Sequence, residues 1–520
     1  MNAIVTPVPN RAEPLILLSA TFIISICGLI YELLAGTLSS YLLGDSVYQF
    51  SIVIGLFVSS MGVGSFLSRY MPEPLEQSFT VAQTLTGILG GSSAPLLFFA
   101  FTWLDHYNFY LFFICISLGG LVGLEVPLVT RILERHHTLK VNISNVLTID
   151  YIGALAAALL FPLLLMPLLG LMGTSLLFGL LNVSIAIIMI WLFKDRVNVK
   201  LLSIIAGTGF IFLSTLLFHS EKILNLMERR LYQAPIIFAE TTPYQRLVLT
   251  RQQDRFRLYI NGGLQFDSFD EYRYHEALVH PVMNLAVRPE RILILGGGDG
   301  MAAREVLKYS QVQHITLVDL DERVTQLFSE NPLLTPLNSF ALKNAKVSII
   351  NKDAWDFLDD SNDYYDVVII DLPDPQNSNL SKLYTKEFYS RISSRLTQGG
   401  LVVTQATSPF FARSAFWCIN NTLDATPSPL REGATLYTQP YHSYVPSFGL
   451  WGFVIAGHHQ VDWSTFTLPN AVELNYLYPE VLESLIHFSA DTAFVNTAIN
   501  TLQAHPLLDY YQIDSKRWFP

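Results

Sequence analysis

Seven apolar stretches crowd the first 219 residues of this 520-residue chain, at roughly 15–35, 47–67, 80–101, 109–130, 147–168, 172–193 and 201–218. Most reach the roughly 20 residues a helix needs to cross a hydrocarbon core. Through residue 219 the sequence holds 10 Asp/Glu and 8 Lys/Arg, whereas residues 220–520 hold 33 and 24. The whole chain is 51% hydrophobic and 14% charged, against about a quarter charged in an average soluble domain. The shortage of charge falls on the first part. It predicts an all-α, multi-span membrane domain over 1–219, with six or seven spans in a lipid bilayer, followed by a water-soluble remainder. Before the first stretch, Met1–Pro14 has Arg11 and Glu13 but neither the positive cluster nor the early cleavage site of a signal peptide.

Basic residues sit at Arg69, at Arg131, Arg135 and Lys140, and at Lys194, Arg196 and Lys200; the connections near 36–46, 102–108 and 169–171 have none. The positive-inside rule puts the N-terminus and the three basic loops in the cytoplasm. Acidic residues also enter the apolar stretches: Glu32 near the end of the first, Glu125 deep in the fourth and Asp150 opening the fifth beside Tyr151. Ionisable groups at that depth are costly and face a cavity or a partner. Two readings stand: an interfacial position or pairing with Arg131, and a lining for a polycation. Gly119 and Gly123 have the spacing that lets helices pack closely.

Cys27, Cys115 and Cys418 offer neither a metal-ligand spacing nor a disulfide framework, and reduced, structural thiols are expected. Residues 220–520 carry a net charge of −9. An acidic soluble part argues against nucleic acid as a partner and suits a cationic substrate.

From about 236 the pattern turns to short β-prone runs, 236–238, 246–250 and 256–260, with a turn signal at Asn261-Gly262-Gly263. They predict a small antiparallel β-sheet, followed by a polar helix over 270–285 carrying Tyr274, His275 and Glu276. A buried strand, 291–295, then runs into Gly296-Gly297-Gly298-Asp299-Gly300 and a helix at 301–309. Glycines there let the backbone turn sharply and approach a ligand. About twenty residues on, strand 315–318 ends in Asp319-Leu320-Asp321, where a carboxylate can bond ribose hydroxyls. This fingerprint by itself fits any nucleotide-binding α/β fold. Asp299 inside the loop disfavours a pyrophosphate and would draw a cation. Strand 347–350 ends in Asn351-Lys352-Asp353-Ala354, and strand 366–370 in Asp371-Leu372-Pro373-Asp374-Pro375. Ligands of open parallel sheets bind at the carboxyl ends of strands. Asp299, Asp319, Asp353, Asp371 and Asp374 are therefore expected around one cleft, set for positively charged ligands.

These residues resemble the spermidine synthase (polyamine aminopropyltransferase) family over roughly 236–455. The resemblance is carried by Tyr244-Gln245, Tyr274-His275-Glu276, Gly296–Gly300 with Arg304-Glu305-Val306-Leu307-Lys308, Val318-Asp319-Leu320-Asp321 and 366–375. The whole sequence looks like the bacterial branch with an N-terminal membrane domain. The resemblance implies a Rossmann-like, class I methyltransferase-like catalytic domain at 286–456, after a small sheet domain at 220–285 and before a C-terminal helical cap at 457–520. It implies transfer of an aminopropyl group from decarboxylated S-adenosylmethionine, a co-substrate, to putrescine or a related polyamine, with no metal or other cofactor, and association into dimers or larger. By matching position, Gln245, Gly296, Gly298, Asp319, Asp353 and Ala354 would hold the donor. Tyr274, His275, Asp299 and Asp374 would face the amine, and Asp371 would accept its proton.

Three departures touch the amine side. Leu372-Pro373 stands where the family has two serines, Gln376-Asn377-Ser378-Asn379 where a Gly-Pro pair follows, and Val445 before Pro446 in place of a tyrosine, with Tyr441 and Tyr444 close by. A methyltransferase and a polyamine-binding membrane transporter or sensor are the alternatives. A cytosolic donor implies an inner-membrane protein whose catalytic domain faces the cytoplasm. Since seven crossings from a cytoplasmic N-terminus would put that domain outside, either one stretch is expected not to cross, 201–218 first among them as the shortest and the holder of Gly207 and Gly209, or a pair forms a re-entrant unit. Beyond 456 a helix is expected from Pro479 to about 505 with Val481, Leu482, Leu485 and Ile486 on one face, and His458 and His459 are expected to be solvated.

Overall fold

A computed structural model describes residues 13–43, 46–104, 106–136, 138–232, 234–466, 472–515 and 517–518, so most of the N-terminal leader lies outside them. The protein divides into two compact units, Met1–Pro243 and Tyr244–Pro520.

The first unit is helical until a strand, β1 (Ile236–Thr241), near its end. Its helices are α1 (Glu13–Leu43), α2 (Ser46–Leu67), α3 (Leu75–Trp103), α4 (Tyr107–Leu133), α5 (Leu139–Leu160), α6 (Met166–Leu192), α7 (Val199–Phe218) and α8 (Ser220–Tyr232). Among the described residues, six helical runs are long and apolar enough to cross a membrane; one of them, Leu139–Leu192, is 54 residues long. At 1.5 Å per residue that run would extend about 80 Å, enough for two crossings. It breaks at Gly170, whose φ of 63° leaves the helical region, between the fifth and sixth stretches of the sequence. Glycines set the close crossings. At Gly119 a Cβ would stand 2.6 Å from the Phe57 carbonyl oxygen and at Gly123 2.6 Å from the Met61 Cα, both on α2.

One end of the bundle is ion-paired. Arg196, just after α6, bonds Glu13 at the start of α1 (3.1 Å) and Glu76 at the start of α3 (3.0 Å), and Arg135, just after α4, bonds the same Glu76 (2.5 Å). At the other end, Tyr232 closes α8 with its hydroxyl 3.5 Å from that of Tyr41 near the end of α1, and the Arg230 guanidinium lies over Trp103 at the end of α3. Helix α7 starts at the first end and delivers α8 to the second, so it runs the length of the bundle, and Val199–Phe218 is itself long and apolar enough to cross a membrane. Arg131 bonds the Ser68 carbonyl (3.0 Å) and Glu73 (3.9 Å), which removes it as the partner expected for Glu125. Glu32 and Asp150 also lie deeper than expected, because α1 continues to Leu43 and α5 begins at Leu139. All three cysteines are free and buried.

The second unit opens with an antiparallel meander of β2 (Arg246–Gln252), β3 (Arg255–Ile260) and β4 (Gly263–Asp267), turned at Asn261 and Gly262 with φ of 49° and 83°. Arg255 and Arg257 both bond Asp267 at 2.8 Å. After α9 (Glu271–Leu285) come β5 (Arg291–Gly296), α10 (Met301–Val306), β6 (His314–Asp319), β7 (Val347–Asn351), β8 (Tyr365–Asp371), β9 (Leu396–Gln405), β10 (Tyr437–Val445) and β11 (Gly449–Gly457). These strands form one Rossmann-like sheet of order β10-β11-β9-β8-β5-β6-β7. The five from β9 to β7 are parallel, and β10 and β11 are antiparallel. The parallel strands read as continuous apolar runs because both faces are covered: Ile292, Leu293, Ile294, Leu295, Val367, Val368, Ile369 and Ile370 are fully buried.

Two C-terminal expectations are corrected. The helix at Pro479 stops at Leu485, with Leu482 and Leu485 buried. The following segment has no helix before Pro506–Ser515; instead its carbonyls accept from the helix 413–424, Thr492 from the Trp417 indole (3.0 Å) and Ala493 from Arg413 (2.8 Å). His458 is buried, not solvated, with Nδ1 2.9 Å from the Ser428 hydroxyl.

Where β5 ends, Gly296 has φ 83° and a Cβ there would overlap the Asp371 carbonyl oxygen at the end of β8. Gly296→Ala should therefore cost on the order of 3 kcal/mol, from the left-handed backbone and the overlap together. Chemical denaturation of the full-length protein in detergent would measure it.

Candidate active site

Strand β5 has β6 on one side and β8 on the other, and such a reversal of strand order opens a crevice at the carboxyl ends. The glycine loop after β5 closes its floor. The Gly297 N–H donates to the Asp371 carbonyl (3.1 Å) and the Gly298 N–H to Oδ2 of Asp319 (3.0 Å). A Cβ on Gly298 would stand 2.6 Å from that carboxylate oxygen. The loop backbone thus ties the ends of β6 and β8 together, and Asp319 and Asp371 come within one cleft. Above it is a cavity of about 220 Å³ lined by Gln245, Tyr274, His275, Gly296, Gly298, Asp299, Asp319, Asp353, Ala354, Asp371 and Asp374. Every site residue expected from the sequence reaches this one cavity.

On the β6 side, Asp319 also accepts from the Asp321 N–H (3.0 Å), and Gln245 donates to Asp321 (3.0 Å). Burial raises the Asp319 carboxyl to about 6 despite the two backbone donors. Leu258, Ile260 and Leu264 from the meander add an apolar wall. Asp353 is more engaged than expected for an adenine acceptor. Its Oδ1 caps the Trp355 N–H (2.8 Å), and its Oδ2 pairs with the Lys382 ammonium (2.9 Å).

On the β8 side the charges are arranged differently. Tyr274 donates to Oδ1 of Asp371 (2.8 Å), and His275 Nε2 lies 4.0 Å from Oδ2. Atoms of His275, Asp299 and Asp371 that could hold a cation lie within 4.8 Å of one another. His275 Nδ1 is 2.7 Å from Glu271, whose two oxygens also receive Arg304 at 2.8 and 3.0 Å. Burial alone would lower the imidazole, but the Glu271 hydrogen bond and charge, with Asp299 and Asp371 adding, raise it to about 9. His275 is therefore cationic at neutral pH. The cluster keeps a net negative charge and suits an organic cation. Burial raises Asp299 and Asp374 to about 6 each, and Asp371 upward as well. Among the described residues no lysine or arginine pairs with Asp299, Asp319, Asp371 or Asp374.

Several lining residues were not foreseen. Gln405, at the end of β9, donates from Nε2 to the Leu372 carbonyl (2.7 Å) and the Tyr384 hydroxyl (2.5 Å), and lies 3.4 Å from Asp374. The run Leu401-Val402-Val403-Thr404 ending at Gln405 carries the same signal as the other strand ends, so the strand-end rule could have found it. Phe448 and Trp451 line the cavity; of the tyrosines near Val445, Tyr441 is buried with its hydroxyl on the Ala277 carbonyl (2.8 Å), and Tyr444 is exposed. Tyr511 donates to Oδ2 of Asp374 (2.9 Å) from 137 residues away, a distance no local signal bridges.

The spermine/spermidine synthase domain family matches residues 271–464. Similar over nearly their whole lengths are a polyamine aminopropyltransferase of Leptospira interrogans, 43% identical over 96% of this sequence and 98% of the relative, and polyamine aminopropyltransferase 2 of Ralstonia nicotianae, 42% identical over 97% and 99%. A relative named polyamine aminopropyltransferase from Oceanobacillus iheyensis is 41% identical over 95% and 96%. A solved spermidine synthase in complex with the transition state analogue AdoDATO is 23% identical, with a TM-score of 0.44, over 49% of this protein and 85% of that one.

The His275 environment generates a direct expectation. In Glu271→Gln the imidazole loses its adjacent negative charge, so its pKa should fall from about 9 toward the ordinary value of about 6.5. Histidine ring-proton shifts followed by NMR against pH would record the change.

Proposed function

Because the protein belongs to the spermine/spermidine synthase family of polyamine aminopropyltransferases, we propose that this cavity transfers the aminopropyl group of decarboxylated S-adenosylmethionine to putrescine, giving spermidine and methylthioadenosine. The observation that carries the reading is the set of carboxylates Asp299, Asp371 and Asp374, unpaired with lysine or arginine among the described residues, at the cavity wall beside a nucleoside-sized crevice ending in Asp319. Donor and acceptor are both cations, and both gain where buried negative charge awaits them.

In this reading the donor lies along the glycine loop, with its ribose hydroxyls on Asp319 and its adenine near Asp353 and Ala354. Tyr274 and His275 fix the Asp371 carboxylate. The acceptor arrives as an ammonium with no lone pair. Asp371 takes one of its protons, and the freed lone pair attacks the propyl carbon next to sulfur. The new N–C bond forms as the C–S bond breaks, and its electron pair goes to sulfur, which leaves neutral as the thioether of methylthioadenosine. Discharge of the sulfonium makes it a good leaving group without a metal. Asp299 and Asp374 hold the amine in line, where positioning rather than acid strength lowers the barrier. The Leu372-Pro373 pair and Trp451 give the acceptor side an apolar stretch matched to a run of methylenes.

We also propose that helices α1–α7 cross the cell membrane and that the unit from Tyr244 faces the cytosol, where the adenosyl donor is made. Since α7 ends opposite the ion-paired loops, this places the Arg135–Glu76–Arg196 cluster on the outer side, against a plain count of basic residues. Pairing with Glu13 and Glu76 supports that placement.

Purified full-length protein given the donor and a diamine should release methylthioadenosine, seen by chromatography. Asp371→Asn should lower turnover by about 10²–10⁴-fold while leaving nucleoside binding within a few-fold, and no loss would remove its role. The wild-type rate should fall as pH drops through about 6, where Asp299 and Asp374 take up protons and lose the charge that holds the amine. For topology, alkaline phosphatase fused after residue 225 should be inactive and a fusion within 134–138 active; the reverse pattern overturns the cytosolic placement.

A further inference from the structure

The segment that follows the matched family region (271–464) returns to the amine side of the cavity at two points. In the helix Pro506–Ser515, Tyr511 donates its hydroxyl to Oδ2 of Asp374 at 2.9 Å. Six residues before that helix, buried Asn500 donates to the carbonyls of Ser381 and Tyr384, 3.1 Å each. The Tyr384 hydroxyl in turn donates to the Pro373 carbonyl at 3.0 Å, so Asn500 steadies the loop that carries Asp371 and Asp374 from behind. The helix itself is anchored: Leu507 is fully buried in the core, and Asp514 accepts from the Ser414 N–H at 2.7 Å. A fixed helix thus holds one oxygen of a buried carboxylate, while the other, Oδ1, has Gln405 Nε2 at 3.4 Å, near the limit of a hydrogen bond.

We infer that Tyr511 is a positioning residue for the acceptor: by holding Oδ2 of Asp374 it aims Oδ1 at the second ammonium of a diamine, and so sets the length of amine that reaches Asp371. The inference rests on the aminopropyl-transfer reading above. A carboxylate held at one oxygen by a rigid donor presents the other in a fixed direction, and hydrogen bonds to charged groups are the stronger ones. The segment beyond the common domain is therefore a specificity element, and not only a cover.

Tyr511→Phe keeps the ring and removes only the hydroxyl. In the full-length protein, methylthioadenosine release with putrescine as acceptor should show KM for the diamine raised about tenfold, with kcat within about threefold and donor KM within about twofold. The pH profile supplies a readout that mere loosening would not move. The groups facing Asp374 are Tyr511, Tyr384 on the turn after Ser381, Tyr274 on α9, and Gln405 and Thr407 at and after the end of β9. Loss of the Tyr511 hydroxyl takes a donor from the ionised carboxylate, so the acid limb of kcat/KM for the diamine should move above its wild-type position near 6. An unchanged diamine KM and acid limb overturns the inference, as does a donor KM that rises in step with the diamine KM. A wild-type protein that releases no methylthioadenosine with any diamine overturns the reaction itself, and this role with it. A lower melting temperature in the variant with diamine KM unchanged marks a purely structural contact and also overturns it.

Discussion

Burying carboxylates without basic partners is the constraint around which the second unit is built. A negative charge taken out of water is costly, and proteins usually offset it with an ion pair or with hydrogen-bond donors. Of the five cavity aspartates, Asp353 alone receives a lysine among the described residues. Asp319 is held by two backbone N–H groups, Asp371 by the Tyr274 hydroxyl, and Asp374 by the Tyr511 hydroxyl. These donors orient the acids without cancelling their charge. Carboxyl values raised to about 6 at Asp299, Asp319 and Asp374 record a site that stores unsatisfied negative potential, which a cation relieves on binding.

One positive charge is nevertheless placed inside, on His275, and its support reaches outward. Arg304 clamps both oxygens of Glu271, and Glu271 holds His275. Arg304 also bonds Glu305, which takes up His280 and Lys308. The network ties α9 to α10, linking the helix behind the glycine loop to the helix bearing Tyr274. In the proposed transfer, such a link keeps donor and acceptor end to end.

The first unit solves a different problem with the same chemistry. Its apolar helices approach through glycine, as at Gly119 and Gly123 against α2, where a Cβ would meet the neighbouring backbone. At one end Arg196 bridges Glu13 and Glu76 and so fixes the starts of α1 and α3 beside the end of α6.

Much of this was legible in order along the sequence. Each apolar stretch became helical, because a helix satisfies its backbone N–H and C=O groups within the segment while its apolar side chains pack outward. The four strand-end motifs also declared themselves, since buried parallel strands are apolar runs that end where the ligand begins; Gly296, Asp319, Asp353 and Asp371 lie where their runs stop. What could not be read was anything joining distant segments. That α7 traverses the bundle depends on which ends Arg196 and Tyr41 occupy. That His458 is buried and that residues 486–505 hold no helix depend on surfaces supplied by other parts of the fold, the helix 413–424 among them. Tyr511 meets Asp374 only because the backbone folds back across 137 residues. Period and composition are local properties and fix local structure; a hydrogen bond between remote side chains is decided by packing, which exists only once the whole unit has closed.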